Sequence, residues 1–254
     1  MARIQSKRFI VYGPFFSRRL GRSLGINLFQ EKLKVCSFDC VYCEVGKTQT
    51  QTLDPSLHQC NTVDDILWSV EEALKKPRTI EHLTLSGNGE PTLHLNFPEI
   101  IQGIKQIIAR FRPDVKLALL TNGSKASTAE FQAVYPLIDK VMIKLDAGDN
   151  ETFKAINQPI DEFTFPDLMK GLRQTPGLIL QSCLIEGEFT NIHGPSFKAW
   201  VDTLRALNPV EVQIYSIERP ISNKLVRKVV PNQLFEVENE LQALGIHAQA
   251  YWRR

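Results

Sequence analysis

The feature that most constrains the fold is an alternation of short apolar runs with helical stretches, repeated about six times. Residues 81–86, 116–120, 140–145, 178–185 and 210–217 read as strands. Residues 97–111, 128–137, 150–156, 165–174, 196–207 and 232–244 read as helices between and after them. An earlier helix starts at Thr62, which can cap it with Asp65 three residues on, and carries Ile66, Leu67, Val70, Ala73 and Leu74 on one face. A strand is expected at 23–29 and a short strand or tail at 247–252. Strand then helix at this spacing calls for parallel strands joined by right-handed crossovers. No Gly-x-Gly-x-x-Gly or P-loop run follows the first strand, so a dinucleotide-binding open sheet has no support. The expectation is α/β, a partial (βα)6 TIM-type barrel of parallel strands with an N-terminal extension. We expect one domain over residues 1–254, with 1–34 as a basic extension and first strand, 35–220 as the barrel and 221–254 as a C-terminal helix and tail.

The strands carry an unusual second face. Val141, Ile143 and Leu145 oppose Met142, Lys144 and Asp146; Val210, Val212 and Ile214 oppose Glu211, Gln213 and Tyr215; Leu83 and Leu85 oppose His82, Thr84 and Ser86. Closed barrels fill their interior with branched apolar side chains. A polar interior fits an open barrel that is wet or holds a polar ligand. In a parallel barrel functional groups gather at the carboxyl ends of the strands. Here those ends are the loop of Cys36, Cys40 and Cys43, Asn88-Gly89-Glu90, Thr121-Asn122, Lys144 with Asp146, Ser182 to Glu186, and Tyr215 to Glu218.

The chemistry-bearing stretch is Cys36-Ser-Phe-Asp-Cys40-Val-Tyr-Cys43, with the spacing C-x3-C-x2-C. Three soft ligands on so short a loop suit one inorganic centre. Three thiolates would hold three irons of a 4Fe–4S cluster and leave one iron open. The competing reading is a closed zinc site completed by Cys60 or His58, in a structural or nucleic-acid-binding module without catalysis. A plain electron carrier would leave the polar rim without a purpose. Cys60 reads as an exposed thiol, Cys183 as a buried one, and His193 and His247 as isolated. Lys144 either contacts a cofactor or pairs with Asp146 or Glu186.

Cys36-x3-Cys40-x-Tyr42-Cys43 resembles the signature of the radical S-adenosylmethionine (radical SAM) superfamily. Gly87-Asn-Gly-Glu90 resembles its Gly-Gly-Glu motif, with Asn88 in place of one glycine. The resemblance implies a 4Fe–4S cluster on Cys36, Cys40 and Cys43, whose open iron chelates the methionine moiety of S-adenosylmethionine. It implies that Asn88, Gly89 and Glu90 hold the amino group, that Tyr42 lies against the adenine, that Asn122, Asp146 and Ser182 contact ribose or carboxylate, and that Tyr215 meets the adenine edge. The implied reaction is reductive cleavage to a 5′-deoxyadenosyl radical that abstracts hydrogen from substrate, driven by a low-potential flavodoxin or ferredoxin. Gly13-Pro14, Ser17-Arg-Arg-Leu-Gly-Arg-Ser-Leu-Gly25 and Glu218-Arg219-Pro220 resemble a compact group beside the wyosine-base tRNA synthases. Those enzymes carry a second cysteine triplet, which Cys60 and Cys183 cannot supply.

Residues 1–34 hold Arg3, Lys7, Arg8, Arg18, Arg19, Arg22, Lys32 and Lys34 against Glu31 alone, a balance of +7 in a chain of net charge +2. An anionic partner follows as an expectation, tRNA first. Residues 17–22 are expected to form an arginine-rich loop after a turn at Gly13-Pro14. No apolar run approaches a membrane span, the N-terminus lacks a signal-peptide pattern, and the cysteine count is odd. The cytoplasm and reduced thiols are the expectation.

Overall fold

The computed structural model describes residues 10–252. The elements in the first half are β1 (Val11–Ser17), β2 (Gly21–Ile26), β3 (Val35–Cys36), β4 (Thr50–Gln51), α1 (Val63–Leu74), β5 (His82–Leu85), α2 (Phe97–Phe111), β6 (Lys116–Thr121) and α3 (Ala129–Val134). There follow β7 (Lys140–Lys144), α4 (Asn150–Asn157), α5 (Phe165–Arg173), β8 (Ile179–Cys183), β9 (Ile185–Gly187), α6 (Gly194–Leu207), β10 (Glu211–Tyr215), β11 (Val226–Lys228), α7 (Pro231–Ala243) and β12 (Ala248–Tyr251). The chain forms two compact units that interleave in sequence. The first takes residues up to Ser37 with Thr48–Thr121 and Thr128–Val141; the second takes Phe38–Lys47, Asn122–Ser127 and everything from Met142.

In the first unit the strands lie in the order β1-β2-β5-β6. β1 is antiparallel to β2, and β2, β5 and β6 are parallel. Leu24, Ile26, Leu83, Leu85, Leu117 and Leu119 are fully buried, as are Ile66, Val70, Ile100 and Ile104 of α1 and α2. Burial of each such side chain stabilises the fold by about 1.5–3 kcal/mol. Thr62 caps α1 by accepting the Asp65 N–H at 3.2 Å, a cap worth about 1 kcal/mol. The opposite face of the strands pairs polar groups within itself: the Ser23 and Thr84 hydroxyls share a buried hydrogen bond of 2.6 Å.

In the second unit β7, β8, β10 and β12 neighbour one another in that order, with β8 parallel to β7 and β10, and β10 parallel to β12. Ile143, Leu180, Val212 and Ile214 are fully buried, as are Trp200 and Leu204 of α6 and Leu234 and Leu241 of α7. The Trp200 indole N–H donates to the Leu145 carbonyl at 3.0 Å. The polar face is again inside. Gln181 donates to the Met142 carbonyl at 3.1 Å and Gln213 to the Glu211 carboxylate at 2.8 Å.

Helices and strands fall within a few residues of their expected places, with three differences. Gly13-Pro14 is not a turn: it lies inside β1 at an irregularity between Tyr12 and Phe15, and Arg18 and Arg19 sit at the turn of the β1–β2 hairpin, with Arg22 on β2 opposite Phe16. The expected strand 178–185 divides into β8 and β9, because β9 pairs antiparallel with β11. The expected helix 128–137 ends at Val134 in a 3-10 turn, Tyr135–Leu137, where Pro136 removes a backbone donor. Arg3, Lys7 and Arg8 of the basic segment lie outside the described residues.

Candidate metal centre and cofactor site

In the first unit β3 ends on Cys36, and the residue before it grips the glycine-rich turn. The Val35 N–H donates to the Asn88 carbonyl at 3.2 Å, and the Glu90 N–H donates to the Val35 carbonyl at 2.9 Å. Gly89 has φ +125°, and a Cβ there would lie 1.7 Å from the Val35 carbonyl oxygen, so only glycine brings the turn this close. Asn27 completes the support: its side-chain oxygen accepts the Asn88 N–H at 3.1 Å while its amide donates to the Phe29 carbonyl at 3.0 Å. Glu90 is only 2% exposed. Its Oε1 accepts from the Thr92 N–H at 3.1 Å, the Thr92 hydroxyl at 2.7 Å and the Thr121 hydroxyl at 2.6 Å. A carboxylate oxygen held by three donors has a fixed aim.

In the second unit the rest of the cysteine loop is bound to the end of α4. Phe38 is buried edge-on to Phe153 at 5.3 Å and lies 5.7 Å from Phe163, pairs worth about 0.5–1.5 kcal/mol each beyond their buried area. The Asp39 N–H donates to the Gln158 carbonyl at 3.0 Å and the Val41 N–H to the Ile156 carbonyl at 2.9 Å. Gln158 turns the chain with φ +44° as the helix ends. Between Cys40 and Cys43 the backbone closes a turn, Cys43 N–H to Cys40 carbonyl at 3.0 Å. Glu44 next accepts the N–H groups of Glu218 and Arg219 at 3.1 and 3.0 Å, just beyond β10.

Asp146 is the hub of this unit. It is buried, accepts the Tyr42 hydroxyl and the Asn157 amide (2.7 Å) on one oxygen, and accepts the Cys183 N–H at 2.7 Å on the other. Lys144 stands 3.8 Å from it, bonds the Tyr215 hydroxyl at 2.6 Å, and lies 5.1 Å from the ring centres of both Tyr42 and Tyr215. Burial pulls the Lys144 pKa down, but Asp146, with Tyr215 and Cys183 behind it, outweighs burial and holds it above the ordinary lysine value. Lys144 is therefore a charged ammonium stacked between two phenol rings. Burial first and Asp146 second push the Tyr42 phenol well up, so it stays a neutral donor. The same two causes push the Cys40 thiol up to about 11; a bound cation must offset them to make it a ligand.

Cys36 is buried, whereas Cys40 and Cys43 are partly exposed, and none of the five cysteines forms a disulfide. Tyr42 packs among Val41, Ile156, Cys183 and Ile185, with Tyr215 beside them. Asn122 is buried, with its side-chain oxygen accepting the Ser124 N–H at 2.9 Å. Ser182 is fully buried and its hydroxyl donates to the Leu145 carbonyl. Cys60, expected exposed, is 6% exposed: it packs with Phe29, Val35 and Leu93, and its thiol faces the Ser56 carbonyl at 3.8 Å. The lone thiol is an apolar filler there. His193 is exposed but bonds Glu186 at 3.1 Å, and Glu186 also takes Gln233 at 2.9 Å, so Lys144 is matched with Asp146 and Tyr215 instead. His247 is exposed and contacts the Val210 carbonyl at 3.0 Å. The sequence reading does not single out Asn27, Glu44 or Asn157. A signal existed for Asn157 alone, a polar residue four positions after Phe153 on the buried stripe of a helix.

The residues present fit the expected cofactors. Asn157 Oδ1 and Gln213 Oε1 are buried acceptors with no partner among the described residues, and S-adenosylmethionine brings amino and hydroxyl donors. Among the described residues no three Cys, His, Asp or Glu side chains converge as one metal ion would hold them.

A family model described as the Radical SAM superfamily matches residues 31–175. A Brachyspira hyodysenteriae protein named GTPase Obg is 31% identical over 95% of this chain and 34% of its own length. A UPF0026 protein of Helicobacter pylori (strain J99) is 32% identical over 85% of this chain and 68% of its own. The chain thus spans about a third of the first relative and about two thirds of the second. Among solved structures, a radical SAM methyltransferase from Sphaerobacter thermophilus superposes with a TM-score of 0.67 at 17% identity, covering 94% of this chain and 68% of that one. TYW1 with a lysine-pyruvate adduct bound gives 0.60 at 13% identity, covering 89% and 75%. The fold class is that of the partial TIM-type barrel these proteins share. With the cysteine motif inside the matched segment, this chain belongs to the radical SAM superfamily, enzymes that work with a 4Fe–4S cluster and S-adenosylmethionine.

Proposed function

We propose that Cys36, Cys40 and Cys43 are the three protein ligands of the 4Fe–4S cluster, in a single radical SAM domain spanning residues 1–254. The observation that carries the reading is the grip of Val35, next to Cys36, on the Asn88-Gly89-Glu90 turn, which brings the acidic turn beside the first ligand. When bound and reduced, the cluster supplies cleavage of S-adenosylmethionine to a 5′-deoxyadenosyl radical that takes hydrogen from the substrate. Glu90, aimed by Thr92 and Thr121, and the backbone of Asn88 and Gly89 receive the ammonium of the methionine moiety. Asn122 and Asp146 orient ribose and carboxylate, with Ser182 holding the Leu145 carbonyl beside them. Tyr42 and Tyr215, with Lys144 between their rings, bound the adenine side. The enzyme needs a reductant, and a low-potential flavodoxin or ferredoxin is the type we propose.

The substrate class we favour is an anionic molecule, tRNA first, received by Arg18, Arg19 and Arg22 at the β1–β2 hairpin; Arg18 and Arg22 are exposed there. No helix among the described residues is long and apolar enough to cross a membrane, and we place the enzyme in the cytoplasm. The test is anaerobic reconstitution with iron and sulfide, then dithionite and S-adenosylmethionine. Formation of 5′-deoxyadenosine is expected. Its absence, together with stoichiometric zinc in the protein as isolated, overturns the reading in favour of a zinc module.

A further inference from the structure

We infer that Asn157 is a positioning residue for the cluster: its side-chain amide donates a hydrogen bond to the Cys40 sulfur, fixes that ligand and raises the cluster's reduction potential. The inference rests on Cys40 being a cluster ligand. Backbone register puts the two residues together. Asp39 N–H bonds the Gln158 carbonyl and Val41 N–H bonds the Ile156 carbonyl, so Cys40 is bracketed opposite Asn157 by two main-chain hydrogen bonds. The isolated bridge between Phe38 and Pro159 continues the same antiparallel pairing. The Asn157 amide nitrogen then lies 3.5 Å from Cys40 Sγ, 2.7 Å from the Asp146 carboxylate and 3.3 Å from the Tyr42 hydroxyl oxygen.

Asp146 decides which way the amide faces. A carboxylate oxygen at 2.7 Å must meet a donor, so the nitrogen and not the oxygen of Asn157 turns toward it. The amide's two hydrogens serve Asp146, the Tyr42 hydroxyl oxygen and the Cys40 sulfur between them. Asn157 is 1% exposed, so water does not compete for either bond. A leucine would suit the helix face that Phe153 and Ile156 bury, and the polar residue there needs a reason. The reason is electrostatic. Asn157 stands between the Asp146 carboxylate and the Cys40 sulfur and presents N–H to each. A donor to a ligating sulfur stabilises the reduced, more negative cluster and so raises its potential.

The test is an EPR-monitored redox titration of the reconstituted cluster in the wild-type chain, Asn157→Ala, Asn157→Gln and the control Asn191→Ala. Asn191 is equally buried and bonds the Asp146 and Cys183 carbonyls but no cluster ligand. Expected are a more negative midpoint in Asn157→Ala, partial return in Asn157→Gln, and no shift in Asn191→Ala whatever its melting temperature. A midpoint in Asn157→Ala equal to the wild-type value overturns the inference. Where Asn157→Ala does not fold, 15N-asparagine labelling of the wild-type chain decides: electron spin-echo modulation from one asparagine nitrogen at the reduced cluster is expected, and its absence overturns the inference. Failure of the wild-type chain to take up a cluster would instead refute the ligand assignment.

Discussion

Replacing Gly89 by alanine tests how tightly the acidic turn is bound to the first cysteine. The added Cβ would sit 1.7 Å from the Val35 carbonyl oxygen and 2.6 Å from its carbon, at φ +125°. Relief even to 3.0 Å, the shortest separation a Cβ tolerates, requires the two backbones to part by about 1.3 Å. That movement breaks the bonds from Val35 N–H to Asn88 and from Glu90 N–H to Val35. Two hydrogen bonds at about 1 kcal/mol each and a backbone penalty of about 1–3 kcal/mol sum to roughly 3–5 kcal/mol. At about 2–4 °C per kcal/mol for a chain of this size, the melting temperature should drop by about 6–20 °C. The matched control is Gly177→Ala, at φ +58° with nothing within 4 Å, which carries only the left-handed penalty of about 1–2 kcal/mol. Thermal denaturation of both variants, with iron per chain after reconstitution, is the assay. Gly89→Ala should lose iron as well as stability because Cys36 moves with Val35. A melting temperature no lower than that of Gly177→Ala would refute the reasoning.

Asp146→Asn should destabilise by about 3–5 kcal/mol in urea unfolding, since Lys144 is left buried without its counter-charge; a loss below about 1 kcal/mol would contradict the hub. Cys40→Ala should abolish iron uptake and Cys60→Ala should retain it, with the iron-to-chain ratio as readout and iron loss in the second variant marking Cys60 as a ligand. The buried His94 ring donates from Nε2 to the Asn61 carbonyl at 2.9 Å and accepts the Asn96 N–H on Nδ1 at 3.1 Å, and burial lowers its pKa. The unfolded chain takes up that proton near pH 6.5 and the native chain does not. Stability should therefore fall as pH drops from 7 toward 5, less steeply in His94→Gln; equal slopes would exclude His94. Neutralising Arg18, Arg19 and Arg22 should weaken tRNA binding and make its salt dependence shallower; an unchanged slope would remove the hairpin from recognition.

Periodicity and caps carried the regular elements. The helix Phe97–Phe111 has its expected ends, and Thr62 caps α1 as its spacing implies. The cysteine triplet and the Gly87–Glu90 turn were visible because ligand spacing and glycine placement are local. What escaped was long-range. β9 needs β11 to be a strand at all, and Asn27 gains its purpose only once residues 88 and 29 are folded onto it. Gly13-Pro14 has the composition of a turn, yet pairing with β2 draws it into a strand. Thr84, Gln181 and Gln213 on the strands are buried, and their partners could not be read from the sequence. Ser23 meets Thr84, and Gln181 meets the Met142 carbonyl, through register that no single segment encodes.

Glu44 follows the third cysteine directly, yet the backbone groups it anchors lie 174 and 175 residues further along. During synthesis at about 5–20 residues per second, that separation amounts to roughly 10–35 s. The cysteines leave the ribosome first and wait for their last tether. A chain interrupted before Glu218 would present the three thiols without the anchor that orders the loop behind them. The tether behind the cysteine loop is therefore complete only once the chain just beyond β10 has been made.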